Sequence, residues 1–274
     1  MKSANLPISY HQYSPGQWEA IQAEVIVETP VSLTVNGDLW LTFMCTPVHL
    51  EALAVGFLFN EGLIGSLEDI ADVRLCAAGD NVDVWTNHEL EKPQQWRRTS
   101  GCTGGMTSVV NETRGRRISN GGLLPAHRVG ELVAQLFESQ ELYKSSGGVH
   151  TSALSDGKRI TITAEDIGRH NTLDKLAGRM LLEEIRLTRK IILTTGRISS
   201  EMLQKSHRMG VSIVISRTSP SSLSIELAEN LGITLIGYAR RNRFNVYSHP
   251  QRILLSAAAI SGTQDEPSLP EKVA

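Results

Sequence analysis

The sequence is poor in the features that mark membrane, secreted or nucleic-acid-binding chains. It has only three cysteines, Cys45, Cys76 and Cys102. Their odd number and wide spacing exclude a disulfide framework and point to a reducing compartment, the cytoplasm. No two of them have the close spacing of a structural zinc site, so no metal centre is expected. No apolar run approaches the ~20 residues needed to cross a bilayer. The opening Met1-Lys2-Ser3-Ala4-Asn5-Leu6-Pro7 has no apolar stretch after its lysine, and no signal peptide is expected. A net charge of −2 argues against bulk attraction to nucleic acid or to an anionic membrane. Apolar content of 41% and charged content of 20% are ordinary for a globular chain of 274 residues, long enough for one large domain or two small ones.

Against this background the stretch from Trp96 to Ser108 stands out. Cys102 sits among three glycines and five hydroxyl side chains, after Arg97 and Arg98. The stretch lacks the apolar periodicity of helix or strand and reads as a loop. Backbone N–H groups and two arginines near a thiol favour its thiolate, the nucleophilic form. The same residues also suit a small buried side chain in a glycine-rich turn.

The chain before this loop is β-rich. Residues 1 to 22 are polar and proline-containing and predict an irregular arm. Glu24–Glu28, Val31–Val35 and Leu39–Phe43 read as strands, the last two joined at Asn36-Gly37-Asp38, a tight-turn signal. Cys45 is expected to pack in the core. Thr46-Pro47 predicts a helix start with threonine as N-cap, an apolar face of Leu50, Leu53, Ala54, Phe57 and Leu58, and an end at Gly62. His49 is expected to be solvated. Val73–Cys76 and Val82–Trp85 predict a hairpin, with Cys76 in the core.

The second half alternates strands and helices, which predicts a largely parallel sheet covered by helices. Helices are expected from Leu123-Leu124-Pro125 to Glu138, over 168–184, 199–209 and 222–231. Val149–Leu154 and Arg159–Thr163 predict a hairpin, and strands are expected at 190–195, 211–216, 233–237 and 244–247. This divides the chain into an arm (1–22), a β-rich α+β portion with the Cys102 loop (23–122), an α/β domain (123–261) and a disordered tail (262–274).

Two strand-to-helix junctions are rich in small polar residues. One contains Thr195, Arg197 and Ser199, the other Arg217, Ser219 and Ser221. In a parallel sheet both lie at the carboxyl ends of strands and lead into helix N-termini, which favour anions. Plain helix capping by Ser199 and Ser221 is the alternative. A third loop, Tyr238-Ala239-Arg240-Arg241-Asn242-Arg243, offers three arginines and a ring to a diphosphate and a base. The polar stretch Glu165–Lys175 places His170 and Asp174 on one helix face, with His170 as a proton donor or an internally bonded side chain and Asp166 as a helix cap. His150 and His207 have no partner at metal spacing.

Several motifs occur together in a fixed order: Glu28-Thr29-Pro30-Val31-Ser32-Leu33, Gly56-Phe57-Leu58-Phe59-Asn60-Glu61-Gly62, Ser100-Gly101-Cys102, Glu165-Asp166-Ile167-Gly168-Arg169-His170-Asn171, Asp174-Lys175 and Tyr247-Ser248-His249-Pro250. In these the chain resembles the formate dehydrogenase accessory sulfurtransferase family, FdhD or NarQ, over roughly residues 24–253. The resemblance implies a cytoplasmic, dimeric sulfur carrier that takes sulfur from a cysteine desulfurase as a cysteine persulfide. It implies transfer of that sulfur to the molybdenum (or tungsten) bis-guanine-dinucleotide cofactor, molybdenum bis(molybdopterin guanine dinucleotide), before insertion into the formate dehydrogenase catalytic subunit. By this resemblance Cys102 is the persulfide carrier and Tyr238–Arg243 the cofactor-binding segment, with GDP as a mimic. The implied fold is α/β: a cytidine-deaminase-like three-layer α/β/α domain with a smaller N-terminal β-rich α+β portion. His49-Leu50-Glu51 fits the deaminase H-x-E, but no P-C-x-x-C follows. Many members carry C-x-x-C in the central loop, whereas the second position here is Gly105, which puts in doubt any step using a second thiol. Two other classes fit some of the residues: a delivery module that holds the cofactor without sulfur chemistry, and a cysteine hydrolase with Cys102 as nucleophile and His170 or His150 as base.

Overall fold

The computed structural model describes residues 3–94, 96–98, 106–108, 116–119 and 121–255. The chain opens with a hairpin of β1 (Asn5–Ser14) and β2 (Gln17–Ile26), paired antiparallel throughout. The expected irregular arm is therefore a β-ribbon. Pro15-Gly16 makes its turn, with Gly16 at φ 89°, and Leu6, Ile8, Tyr10, Ile21, Ala23 and Val25 alternate onto one face. Glu24–Ile26 belongs to this ribbon and not to the small sheet that follows.

That sheet contains β3 (Thr29–Val35), β4 (Asp38–Cys45), β5 (Ile70–Leu75) and β6 (Asn81–Thr86), in the order β4-β3-β6-β5. The Asn36-Gly37 turn forms as expected, both residues at positive φ. Between β4 and β5 runs α1 (Leu50–Asn60). Thr46 is not its N-cap: His49 is, at φ 51° and exposed. Thr46 is diverted by tertiary bonds, its N–H donating to Asp166 Oδ2 and its Oγ1 accepting from Ile167 N. The helix is buried on nearly all sides, from Ala52 to Asn60, because the small sheet covers one face and another helix the other. Cys45 is fully buried, but Cys76 lies at the β5–β6 turn, half-buried, its thiol donating to Asp80 Oδ1. That corrects its expected place in the core.

Next come β7 (Trp96–Arg98) and β8 (Met106–Ser108), paired antiparallel with Arg98 opposite Met106. The Cys102 stretch is thus not loop throughout: two short strands bracket it. Cys102 is the middle of the seven residues joining them and lies outside the described residues. The chain continues through β9 (Leu124–Pro125), α2 (Ala126–Glu138) and α3 (Leu142–Ser146) to β10 (His150–Ser155) and β11 (Ile160–Asp166). Then follow α4 (Arg169–Leu182), β12 (Ile191–Thr194), α5 (Ser200–Arg208), β13 (Ile213–Ser216), α6 (Ser222–Leu231), β14 (Thr234–Gly237), β15 (Asn245–Val246) and β16 (Ile253–Leu254).

The large sheet has the order β11-β10-β12-β13-β14-β15. It is mixed rather than largely parallel: only β12–β13 and β13–β14 run parallel. The β10–β11 hairpin lays β10 antiparallel to β12, and the short return strand β15 is antiparallel to β14. Ile191, Leu193, Ile213, Ile215 and Ile236 pack beneath α2 through Val129, Leu132, Val133 and Leu136. Their neighbours Ile192, Val214 and Leu235 face the opposite way, toward Leu173 and Leu176 of α4 and Met202 and Leu203 of α5. Buried on both faces, these strands carry unbroken apolar runs. The second core continues through α1 into the small sheet. Here α1 and α4 touch backbone to backbone: a Cβ on Gly56 would overlap the Asp174 carbonyl, and one on Gly178 the Ala52 carbonyl. No described helix is long and apolar enough to cross a membrane.

Candidate functional site

The carboxyl ends of β12, β13 and β14 bring three of the sequence-predicted loops into one structure. Ile198 and Pro220 form a parallel bridge, Ile198 N donates to Ser219 O, and Ser221 N donates to Ile198 O. Ser216 Oγ donates to the Gly196 carbonyl and Arg217 N to the Thr194 carbonyl. The third loop joins through Tyr238 N to Thr218 O, Ala239 N to Ser216 O, and Arg240 Nη1 to Arg217 O at 2.7 Å. Thr195 ties the edge to β10, exchanging bonds with the Thr151 backbone.

Each predicted residue of these three loops has a definite place, whereas Cys102 lies outside the described residues. Arg197 is exposed, as are Arg240, Arg241, Asn242 and Arg243. Tyr238 is exposed and holds a left-handed φ of 51°, while Ala239 is fully buried. Arg240 N donates to Arg243 O, closing the arginine turn, and Gly130 of α2 admits the Arg241 carbonyl where any side chain would overlap it. The Arg217 guanidinium stacks 4.5 Å above the Phe137 ring. Ser199 and Ser221 do cap α5 and α6, accepting from Met202 N and Ser224 N. Capping and anion binding are not exclusive, since each helix start retains further free N–H groups.

Helix α4 begins on the same edge and supplies the polar cluster. His170 is buried, its Nε2 3.3 Å from Ser199 Oγ and 3.6 Å from Glu201 Oε2. Ser199 Oγ donates to Glu201 Oε2 at 2.8 Å. The His170 contact, with the Ser199 bond, holds the Glu201 carboxyl down at about 2. Burial pushes His170 below the usual imidazole range, against the pull of Glu201. His150 is also held low, by burial first and then by the Arg169 charge. Gly196 lies against Arg169 and His150: a Cβ there would sit 3.0 Å from Arg169 Cβ and 3.6 Å from His150 Nδ1.

His170 and Asp174 share a helix face, as their spacing predicts, and both point at α5. Asp174 takes Lys205 Nζ at 2.7 and 2.8 Å, with Glu61 3.4 Å from the same ammonium. Burial raises Asp174; burial also opposes the charge on Lys205, but Asp174 and Glu61 outweigh it and raise Lys205. Asp166 does not cap α4 by position, Gly168 occupying that place. Its carboxylate accepts from Gly168 N and Asn171 Nδ2 on one oxygen and from Thr46 N and Lys175 Nζ on the other. The sequence reading did not single out Lys205 and held Asn60 and Glu61 only as part of a motif, because their partners are 31 or more residues away. His207 bonds the Arg116 carbonyl, away from this edge. Among the described residues no three His, Cys, Asp or Glu side chains converge as metal ligands.

Of the described residues that follow Cys102, Ile118 and Gly121 are anchored at the opposite edge. Ile118 N donates to Leu231 O, Ser212 Oγ donates to Gly121 O, and Leu124 pairs with Ile253. The first two contacts lie before the first residues of β14 and β13 and not after their last.

Comparison with known proteins agrees with the motifs. The FdhD/NarQ family model matches residues 26–254. Sulfur carrier protein FdhD of Bacillus pumilus is 36% identical over 249 residues, covering 89% of this chain and 95% of that one. The protein of the same name from Bacillus subtilis is 35% identical, covering 88% and 95%. The crystal structure of a protein described as a formate dehydrogenase accessory protein, from Desulfotalea psychrophila, superposes with a TM-score of 0.78 at 29% identity, covering 92% of this chain and all of that one. The ordered motifs, the joined loops and these likenesses together place the chain in the FdhD/NarQ family.

Proposed function

We propose that this protein is a cytoplasmic sulfur carrier. It receives sulfur on Cys102 as a persulfide from a cysteine desulfurase and passes it to the molybdenum (or tungsten) bis-guanine-dinucleotide cofactor, its substrate, before that cofactor enters formate dehydrogenase. The observation that carries the reading is the union of the loops after β12, β13 and β14. They set two serine-capped helix starts beside Arg197, Arg217 and Arg240. Helix N–H groups and guanidinium groups are the donors a guanine dinucleotide requires, and exposed Tyr238 offers a ring to the base. The names of the relatives support the sulfur-carrier part. The deaminase-like view of the fold and a homodimeric state belong to the same proposal.

The residues of the edge divide the work. Arg197, Arg217 and Arg240–Arg243 neutralise phosphate charge, and Ser199 holds the α5 start rigid through Glu201 and His170. Sulfur moves by exchange. The Cys102 thiolate attacks the outer sulfur of the donor's persulfide, its S–S bond breaks, and the donor cysteine leaves as thiolate. One thiol suffices for this step, so Gly105 in place of a second cysteine does not obstruct it.

The test is incubation with a cysteine desulfurase and L-cysteine, followed by intact mass and peptide mapping. A reductant-reversible adduct of about 32 Da on Cys102, absent from Cys102→Ser, is expected of a reactive thiolate. Cys102→Ser should still bind GDP yet fail to mature formate dehydrogenase. Full maturation by Cys102→Ser would leave a delivery module without sulfur chemistry, and turnover of an ester or amide would indicate a hydrolase.

A further inference from the structure

The edge opposite the candidate site concentrates cations that have few carboxylate partners. Residues 116–119 and 121–122 lie on it, with Arg116 and Arg117 exposed. Gly122 packs on Arg189, a Cβ there lying 2.9 Å from Nε, and a Cβ on Gly157, in another loop, would lie 3.0 Å from Arg189 Nη1. Around Arg189 is a cleft of about 450 Å³, lined also by Lys158, Arg186 and Asp156. A neighbouring cleft of about 490 Å³ shares Arg186 and adds Lys190, Glu68 and Glu184.

Four cations, Lys158, Arg186, Arg189 and Lys190, line the two clefts with three carboxylates, and Arg116 and Arg117 add two more beside them, in a chain whose net charge is −2. Asp156 is already engaged by the N–H groups of Lys158 and Arg159. Glu184 meets Arg186 only at 4.0 Å, both side chains largely in solvent. Among the described residues Lys158, Arg189 and Lys190 have no carboxylate within ion-pair distance.

We propose that this basic edge is the docking face for the persulfide donor, a protein that presents an acidic surface. The proposal rests on the sulfur-carrier reading above. The cations are spread over two clefts and the 116–117 limb, which suits the surface of a protein rather than one small anion. The limb belongs to the segment that follows Cys102, while the other edge is committed to the nucleotide. Exposed complementary charge chiefly speeds productive encounter and selects the partner.

The experiment compares two sulfur sources on the full chain, cysteine desulfurase with L-cysteine and inorganic polysulfide, reading persulfide on Cys102 by mass. The variant is Lys158→Glu/Arg186→Glu, at two exposed side chains. Desulfurase-driven labelling is expected to slow about tenfold, while polysulfide labelling and GDP binding hold. The wild-type rate with desulfurase should fall as salt rises, and Arg186→Lys should keep it. An unchanged desulfurase rate overturns the proposal, as does equal slowing with both sources. Phosphate binding lost in the variant with donor transfer intact would make the cleft a small-anion site instead. A wild-type protein that takes sulfur from neither source would fail the carrier reading itself, a result distinct from failure of the docking face alone.

Discussion

Lys175 Nζ lies 2.6 Å from Asp166 Oδ2, and neither side chain reaches solvent. The ammonium also donates to the carbonyls of Thr46 and Glu165, so one buried cation joins the end of β4, the end of β11 and the helix α4. Breaking such a pair from one side leaves an uncompensated buried charge. Lys175→Met is expected to cost about 3–5 kcal/mol in urea unfolding, and Asp166→Asn/Lys175→Met to recover part of that loss.

The contact of α1 with α4 depends on the absence of two side chains. Gly178→Ala would drive a methyl into the Ala52 carbonyl, backbone that has no rotamer to escape into. A loss of about 3 kcal/mol is expected, the upper end of the usual cost of overpacking. Thermal unfolding checks it, and a melting temperature within a degree or so of wild type would show that the helices can part.

Acid should weaken the α4–α5 contact in two stages. His170 has a folded pKa below its unfolded value of 6.5, so its contribution is whole above that pH and declines as pH falls beneath it. Glu201 falls from 4.5 to about 2 on folding, so its contribution is whole above 4.5 and is lost as the pH drops toward 2. Urea midpoints measured from pH 7 downward should show both declines. Glu201→Gln should remove the lower one, and His170→Gln the upper.

Variants at Arg217 and Ser199 test the proposed nucleotide site apart from helix stability. Arg217→Ala removes the cation over Phe137 and is expected to weaken GDP binding about tenfold, or ~1.4 kcal/mol, with little change in unfolding. Ser199→Ala loses the α5 cap and should cost about 1 kcal/mol of stability as well. Calorimetric titration with GDP beside urea unfolding reads both effects.

Much of the element order was legible because it is set locally. Asn36-Gly37 specifies its turn, and Val129, Leu132, Val133 and Leu136 repeat at helical spacing and meet the sheet. The ribbon was legible in principle too, from the alternation of Leu6, Ile8 and Tyr10 and the Pro15-Gly16 turn, yet its polar composition pointed to an arm. Thr46 misled for the opposite reason: it has the chemistry of a cap, but a carboxylate 120 residues away claims its N–H.

The sequence by itself determined the family, the strand and helix order of the second half apart from α3 and the two-residue strands β9 and β16, and the loops rich in arginine and serine. Motif order and periodicity are properties of neighbouring residues, and the chain displays them before it folds. Only the tertiary structure decided that the loops after β12, β13 and β14 form one edge, and that β10 enters antiparallel and makes the sheet mixed. It also decided that Lys205, Asp174 and Glu61 share one buried site and that Ile118 and Gly121 are anchored at the far edge. Those relationships depend on strand order and helix packing, which bring together residues that spacing along the chain leaves unrelated.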